Sequence, residues 1–205
     1  SDYSKAGILS LATRVTASPA IIALYSMRNY QVSDIDGKYK NDIYFVSRIM
    51  SSILAMLVCL IMILIGGYSI YKTLVIISYM LFKIVEAFAD YYYGLEQKFN
   101  RMDYSGISMI IRGVGTLIIF VISYKIFKDL LVSLIFMGIF SALVIMIFDV
   151  PINRKHYGVQ KFSKDWNSVK ELMIECFPLA LVAYLNNLAV IIPRLFLERY
   201  YGEEI

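Results

Sequence analysis

KTLVIISYMLFKIVEAFADYYYGLEQKFNRMDY, residues 72–104, is the stretch whose reading decides the fold. It opens as a membrane span, with residues 73–82 free of charge. Lys83, Glu86 and Asp90 then fall inside the same apolar pattern. At about 100° per residue Lys83 and Asp90 lie nearly above one another, with Glu86 within roughly 60° of both. The three charges therefore share one stripe, and Leu81, Phe82, Ile84, Val85 and Phe88 occupy the rest of the helix surface. A charge at bilayer depth costs about 2.5–3.5 kcal/mol on insertion scales, so such a stripe faces a bundle interior or a watery cavity and marks a functional position. A plainer reading stands beside this one. Lys83 pairs with Glu86 at i,i+3, and Asp90 rests near the interface among Tyr91, Tyr92 and Tyr93. Both readings turn the stripe toward other helices.

The rest of the chain has the same character. Of 205 residues 59% are hydrophobic and 18% charged, and mean hydropathy is +0.65. The apolar residues come in long runs: residues 49–71, 130–148 and 176–193 carry no charge. Each is close to the roughly 20 residues that cross a hydrocarbon core as a helix. The fold class is all-α, a polytopic transmembrane helix bundle. The net charge of +4 is distributed between spans, not gathered in a basic arm, so nucleic acid is not an expected partner. Cys59 and Cys176 sit within apolar runs and read as small buried hydrophobes, without a disulfide or metal pattern.

In order, the spans are expected at about 6–27, 45–66, 73–95, 106–124, 130–148 and 172–195. The first is the least hydrophobic. It carries Arg14, Pro19 and the small residues Ala12, Ala17, Ser18 and Ala20, a composition suited to packing among helices or lining a cavity. On the fifth, Gly138 and Ala142 form a small-xxx-small pair expected to pack against a neighbour. The longest polar segment, 149–170, places Val159, Phe162, Trp166 and Val169 at helical spacing against lysines, which predicts an amphipathic helix lying at the interface. Basic residues in the connections count ten on the side of residues 28–44, 96–105 and 149–170 against six on the other, which makes that side cytoplasmic. The chain opens SDYSKAGIL without Met or a charged leader and stops at GEEI just after a span. It reads as part of a longer protein.

No enzymatic constellation emerges. His156 is the single histidine and reads as a loop residue, with no zinc pattern around it. Neither GxxxxGK[ST] nor GxGxxG occurs, so no nucleotide cofactor is expected. The candidate substrate or cavity residues are the polar groups within spans: Arg14, Lys83, Glu86, Asp90, Asn186 and Asn187. Cations on a cavity wall suit an anionic substrate, because arginine makes bidentate contacts to phosphate. Carboxylates suit proton or cation coupling. Each of these groups also fits a helix–helix contact, and Arg14 in particular fits a pair with Glu86 or Asp90. Arg48 and Arg112, near the cytoplasmic interface, are expected to snorkel.

Two blocks carry a resemblance. Ser26, Arg28, Tyr30 and Gln31 form SxRxYQ. Glu86, Ala87, Asp90 and Gly94 form EAxxDxxxG, followed by Arg101, Met102 and Asp103. With these the chain resembles bacterial polysaccharide exporters of the O-antigen flippase type, in the multidrug/oligosaccharidyl-lipid/polysaccharide exporter superfamily, from the second helix to the seventh. The resemblance implies two lobes around a central cavity working by alternating access. Residues 1–148 are then the helices of the first lobe, 149–170 a cytoplasmic linker, and 171–205 the first helix of the second lobe. It implies export of an undecaprenyl-diphosphate-linked oligosaccharide across the bacterial cytoplasmic membrane, among membrane lipids and other polysaccharide-assembly membrane proteins. A cation-coupled small-molecule exporter of the same fold, with Glu86 and Asp90 as its coupling site, is the alternative. A membrane polysaccharide polymerase or ligase fits less well, because the expected outer loops are short.

Overall fold

The structure, a computed structural model, describes residues 2–158 and 163–201. The described residues are helical throughout their ordered elements, with no strand among them. Helix α1 (Asp2–Leu24) ends where Tyr25 and Ser26 take left-handed φ values of 50° and 47°. A short α2 (Met27–Ser33) follows. Then come α3 (Asn41–Gly66), α4 (Ile70–Lys98), α5 (Met102–Phe127) and α6 (Leu130–Val144). A π-helical turn (Ile145–Asp149) joins α6 to α7 (Val150–Tyr157), and α8 (Trp166–Tyr201) is the last element.

The stretches Lys5–Ser33, Asn41–Gly66, Met102–Phe127, Leu130–Tyr157 and Trp166–Ala189 are each long and apolar enough to cross a membrane. The chain is an all-α, multi-pass membrane protein. Its apolar residues point outward as well as inward: Leu57, Ile61 and Leu64 of α3 and Ile110, Val114 and Leu117 of α5 are all exposed. In water such a surface is unfavourable, whereas in lipid it is the expected one. α4 has the length of a span at 29 residues but carries its charges among the other helices. It packs against α1, α2, α3, α5, α6 and α7 and is the centre of the bundle.

The two ends of the bundle differ. At the hairpin end the turns are tight. Gly67, with φ of 57°, closes α3, and Asp129 caps α6 by accepting from the backbone N–H of Leu131 at 2.7 Å and Val132 at 3.3 Å. At the broad end, longer connections gather around Asp34. Its carboxylate accepts from Lys38 N at 2.8 Å, Tyr39 N at 3.2 Å and Tyr44 Oη at 2.9 Å, with Lys98 Nζ at 3.5 Å. Burial alone raises the pKa of this carboxyl. The hydrogen bonds and the lysine outweigh burial and hold it below the ordinary aspartate value.

Two expectations are corrected here. Residues 149–170 are not one interfacial helix. Val150–Tyr157 continues the α6 axis through the π turn, residues 163–165 are non-helical, and Trp166 begins α8. The positions Val159 and Phe162 of the expected stripe lie outside the described residues. Pro151 explains the π turn: it has no N–H for the α-type bond, and the Val150 N–H instead reaches back five residues to Ile145 O. His156 belongs to α7, its ring stacked on Tyr104 at 5.6 Å, and is not a loop residue. Gly138 does face a neighbour, with Phe82 of α4 about 4.0 Å from where its Cβ would stand. On α5, Gly115 stands tightly against α6, where a Cβ would lie 2.2 Å from the Phe140 ring.

Candidate functional site

A cleft of about 300 Å3 opens between α2, α4 and α5, walled by Arg28, Phe82, Glu86, Asp90, Tyr93, Met109, Arg112 and Thr116. Glu86 and Asp90 of the α4 stripe are part of its lining. Lys83 Nζ meets Glu86 Oε2 at 2.7 Å, so the local i,i+3 pair forms, half-exposed at the cleft. Asp90 bridges two arginines, with Arg28 Nη1 at 3.4 Å and Arg48 Nη2 at 3.0 Å.

Neither Arg48 nor Arg112 snorkels, which corrects the expectation for both. Arg48 has a fully buried side chain. Its Nη1 donates to Ala23 O at 2.9 Å and Leu24 O at 2.6 Å, carbonyls left open where α1 stops. Ser51 Oγ donates to Ala23 O as well, at 2.9 Å. A guanidinium on the negative end of a helix dipole is favourable, and Asp90 neutralises its charge. Reaching water would forfeit all three acceptors. Arg112 is buried too, its Nε donating to Ser141 Oγ and its Nη1 to Tyr93 Oη, both at 3.0 Å.

The two sequence blocks meet here. Arg28 Nε and Nη2 donate to Gln97 Oε1 at 3.1 and 2.9 Å. Gln31 packs against Gly94 so closely that a Cβ there would stand 2.3 Å from Gln31 Oε1. Tyr30 Oη donates to Glu175 of α8, and Lys38 Nζ reaches Glu171 at 3.1 Å, tying α2 and its loop to the last helix. The Tyr93 ring lies between two guanidiniums, 5.9 Å from Arg28 and 6.0 Å from Arg112. The cleft thus combines aromatic faces, hydroxyls, two carboxylates and two guanidiniums, a chemistry that can meet both an anionic group and hydroxyls.

Of the residues expected to form a site, Glu86 and Asp90 line the cleft, and Lys83 pairs with Glu86 without lining it. Arg14 stands exposed on α1, outside this cleft. Asn186 is exposed on α8, and Asn187 is half-buried with its Oδ1 buried and without a hydrogen-bond partner. Arg28, Tyr93 and Arg112 were not among the expected site residues. Arg28 sits in the SxRxYQ block, which is the signal that pointed to it. Tyr93 had none beyond its place in a tyrosine run.

With this geometry established, similarity decides the family. Residues 7–205 match the polysaccharide biosynthesis protein family. The chain belongs to that family. It is similar to the capsular polysaccharide biosynthesis protein CapF of Staphylococcus aureus, 28% identical over 184 residues, which cover 89% of this chain and 46% of that protein. The chain therefore spans about half the length of that relative. No solved structure matches it. In this member of the polysaccharide biosynthesis family, the Arg28–Asp90 and Gln31–Gly94 contacts bring together the two blocks that carry the resemblance.

Proposed function

We propose that the chain forms most of the first lobe of an exporter that moves undecaprenyl-diphosphate-linked oligosaccharide from the cytoplasmic to the outer leaflet of a bacterial cytoplasmic membrane. The broad end with Asp34 is the cytoplasmic end, residues around 158–165 link the two lobes, and α8 opens the second. The observation that carries this reading is the charged cleft inside a membrane bundle of the polysaccharide biosynthesis family, where Arg28 and Arg112 flank Tyr93 beside Glu86 and Asp90. Guanidiniums suit a diphosphate, and an aromatic ring with hydroxyls and carboxylates suits sugar. Arg14 is an exposed guanidinium halfway along a span whose Ala12, Val15 and Thr16 are buried. It holds the diphosphate where the second lobe closes over this one.

The test is complementation of a deletion strain with the full-length protein, scoring membrane level and accumulation of the lipid-linked repeat unit together. Arg14→Ala and Arg14→Lys are each expected at normal membrane level with export lost, since lysine keeps the charge but not the fork. Full export by Arg14→Ala at normal level would remove Arg14 from the substrate path. Full export by Glu86→Gln and Arg28→Lys as well would remove the cleft.

A further inference from the structure

The most unusual chemistry in the bundle lies below the cleft, where α4 and α5 meet the π turn and α7. Glu96, Asp149 and Asn153 are fully buried there. Asn153 sits one turn after Asp149, and its Nδ2 donates at 2.9 Å both to Glu96 Oε1 and to the Asp149 carbonyl. That uses both of its hydrogens. Glu96 Oε2, Asp149 Oδ1 and Asn153 Oδ1 are left buried with no hydrogen-bond partner. The place has three orphan acceptors and no free amide hydrogen to serve them.

Charge makes the shortage sharper. Around Glu96 stand Asp149, Asp103 of α5 and Arg28 of α2. Around Asp149 stand Ser108 and Arg112 of α5. Tyr92 of α4, Arg101 and Tyr104, and Arg154 and Tyr157 of α7 also stand nearby, the Tyr157 hydroxyl buried without a hydrogen-bond partner. Two of these cations are engaged elsewhere, Arg28 with Gln97 and Asp90 and Arg112 with Tyr93 and Ser141, while Arg154 is exposed. Among the described residues neither Glu96 nor Asp149 is in an ion pair. Two buried carboxylates tied to one asparagine and outside any direct ion pair are unfavourable when both are charged, and one added proton lessens the repulsion and gives an orphan acceptor a hydrogen.

The hydrogen-bond order indicates where that proton is felt. Arg112 Nη1 donates to Tyr93 Oη at 3.0 Å, which leaves the Tyr93 hydrogen for Ser108 Oγ at 2.9 Å and the Ser108 hydrogen for Asp149 Oδ2 at 3.0 Å. The chain runs in one direction, from a cleft-lining guanidinium to the buried carboxylate. A series of hydroxyls transmits a change of protonation, whereas it offers no passage to a metal ion. The π turn that delivers Asp149 is a geometry that recurs at functional positions. We propose that Glu96 and Asp149, tied together by Asn153, form a carboxylate pair that takes up one proton, linked through Ser108 and Tyr93 to Arg112 at the cleft. The proton moves from water to one carboxylate oxygen, the pair going from two negative charges to one. No redox partner or further reactant is involved. This site stands on the buried geometry and does not depend on the substrate proposed above.

Infrared difference spectroscopy of the full-length protein in lipid nanodiscs, stepped in pH, reads the proton directly as a protonated-carboxyl stretch. One such band is expected to titrate away in a single-proton step. Because the sites of a pair interact, either Glu96→Gln or Asp149→Asn is expected to shift the pH at which the remaining band vanishes by about one unit or more, about a tenfold change. Ser108→Ala and Tyr93→Phe leave both carboxylates in place, serve as a second pair of variants if the first misfold, and are expected to move the midpoint too. Four results would overturn the proposal: no carboxyl band at any pH, single variants that each delete one band and leave the other unmoved, a midpoint displaced by sodium in place of an inert organic cation, or no response to Ser108→Ala and Tyr93→Phe.

Discussion

Glu86 and Asp90 are two carboxylates one turn apart on the same face of α4, yet they are held in opposite ways. Glu86 takes a partner from its own helix, Lys83, and both side chains remain part-exposed at 37% and 29%. Asp90 takes its partners from two other helices, one of them the fully buried Arg48, which also closes the end of α1. The contrast teaches that a charge inside a membrane helix can serve two purposes. The Asp90 cluster joins α1, α2, α3 and α4 into one body. The Glu86 pair holds no second element and is left available to whatever enters the cleft.

The largest effect expected is at Arg48. Arg48→Ala leaves Asp90 without its closest cation and the Leu24 carbonyl without its side-chain donor, and removal of one partner of a buried pair costs about 3–5 kcal/mol. Thermal unfolding in detergent and membrane level should both fall sharply. The double variant Arg48→Ala/Asp90→Asn should recover part of the loss. An unchanged melting temperature for Arg48→Ala would erase the contrast with Glu86.

Next comes the seam between the two sequence blocks. Gly94→Ala drives a Cβ into Gln31, a buried side chain that has to move, at an expected cost of about 1–3 kcal/mol. Shortening the partner by Gln31→Ser should relieve it, because the Gln31 amide has no hydrogen-bond partner to lose. Unfolding of the single and double variants measures the relief directly.

A further test uses pH. The Asp34 carboxyl has its pKa lowered on folding, so its stabilisation is fully present above the unfolded aspartate value and is lost as pH falls through the folded one. Asp34→Asn should therefore be less stable than the parent at neutral pH by about 1–3 kcal/mol. The two unfolding curves should converge in acid. A gap of constant size across the pH range would show that the charge of Asp34 contributes nothing.

The smallest effect on stability is expected where the functional proposal expects a large effect on export. Lys83→Ala and Glu86→Ala remove a part-exposed pair worth less than about 1 kcal/mol. Near-parental unfolding with lost export would sharpen the division of labour along α4. Strong destabilisation would place Glu86 with Asp90 as a structural group.

Much of this was legible in the residue order alone. In lipid a span has to satisfy its own backbone hydrogen bonds, so runs such as 49–71 and 130–148 declare helices by length and composition. The Lys83–Glu86 pair was legible because three residues is one helical step. Arg48 was misread because depth near an interface looks the same for a snorkelling arginine and a buried one. The distinguishing sign is the stripe it shares with Ser51, Ser52, Ala55 and Cys59, all buried on one face of α3. That small-residue face leaves room for a guanidinium between helices and gives it no route to lipid headgroups.

The sequence by itself determined an all-α membrane bundle, the central place of residues 72–104 and the two blocks that mark its family. Tertiary structure alone decided which charges are cement and which are open. Helical periodicity relates residues only three or four positions apart, so it says nothing of partners contributed by another helix. Asp90 finds Arg48 42 positions away in the chain, and Glu96 finds Asn153 57 positions away. These contacts exist only once α4 is enclosed by its neighbours. In the dry interior they form, the strength of a charge depends on how completely its partners surround it.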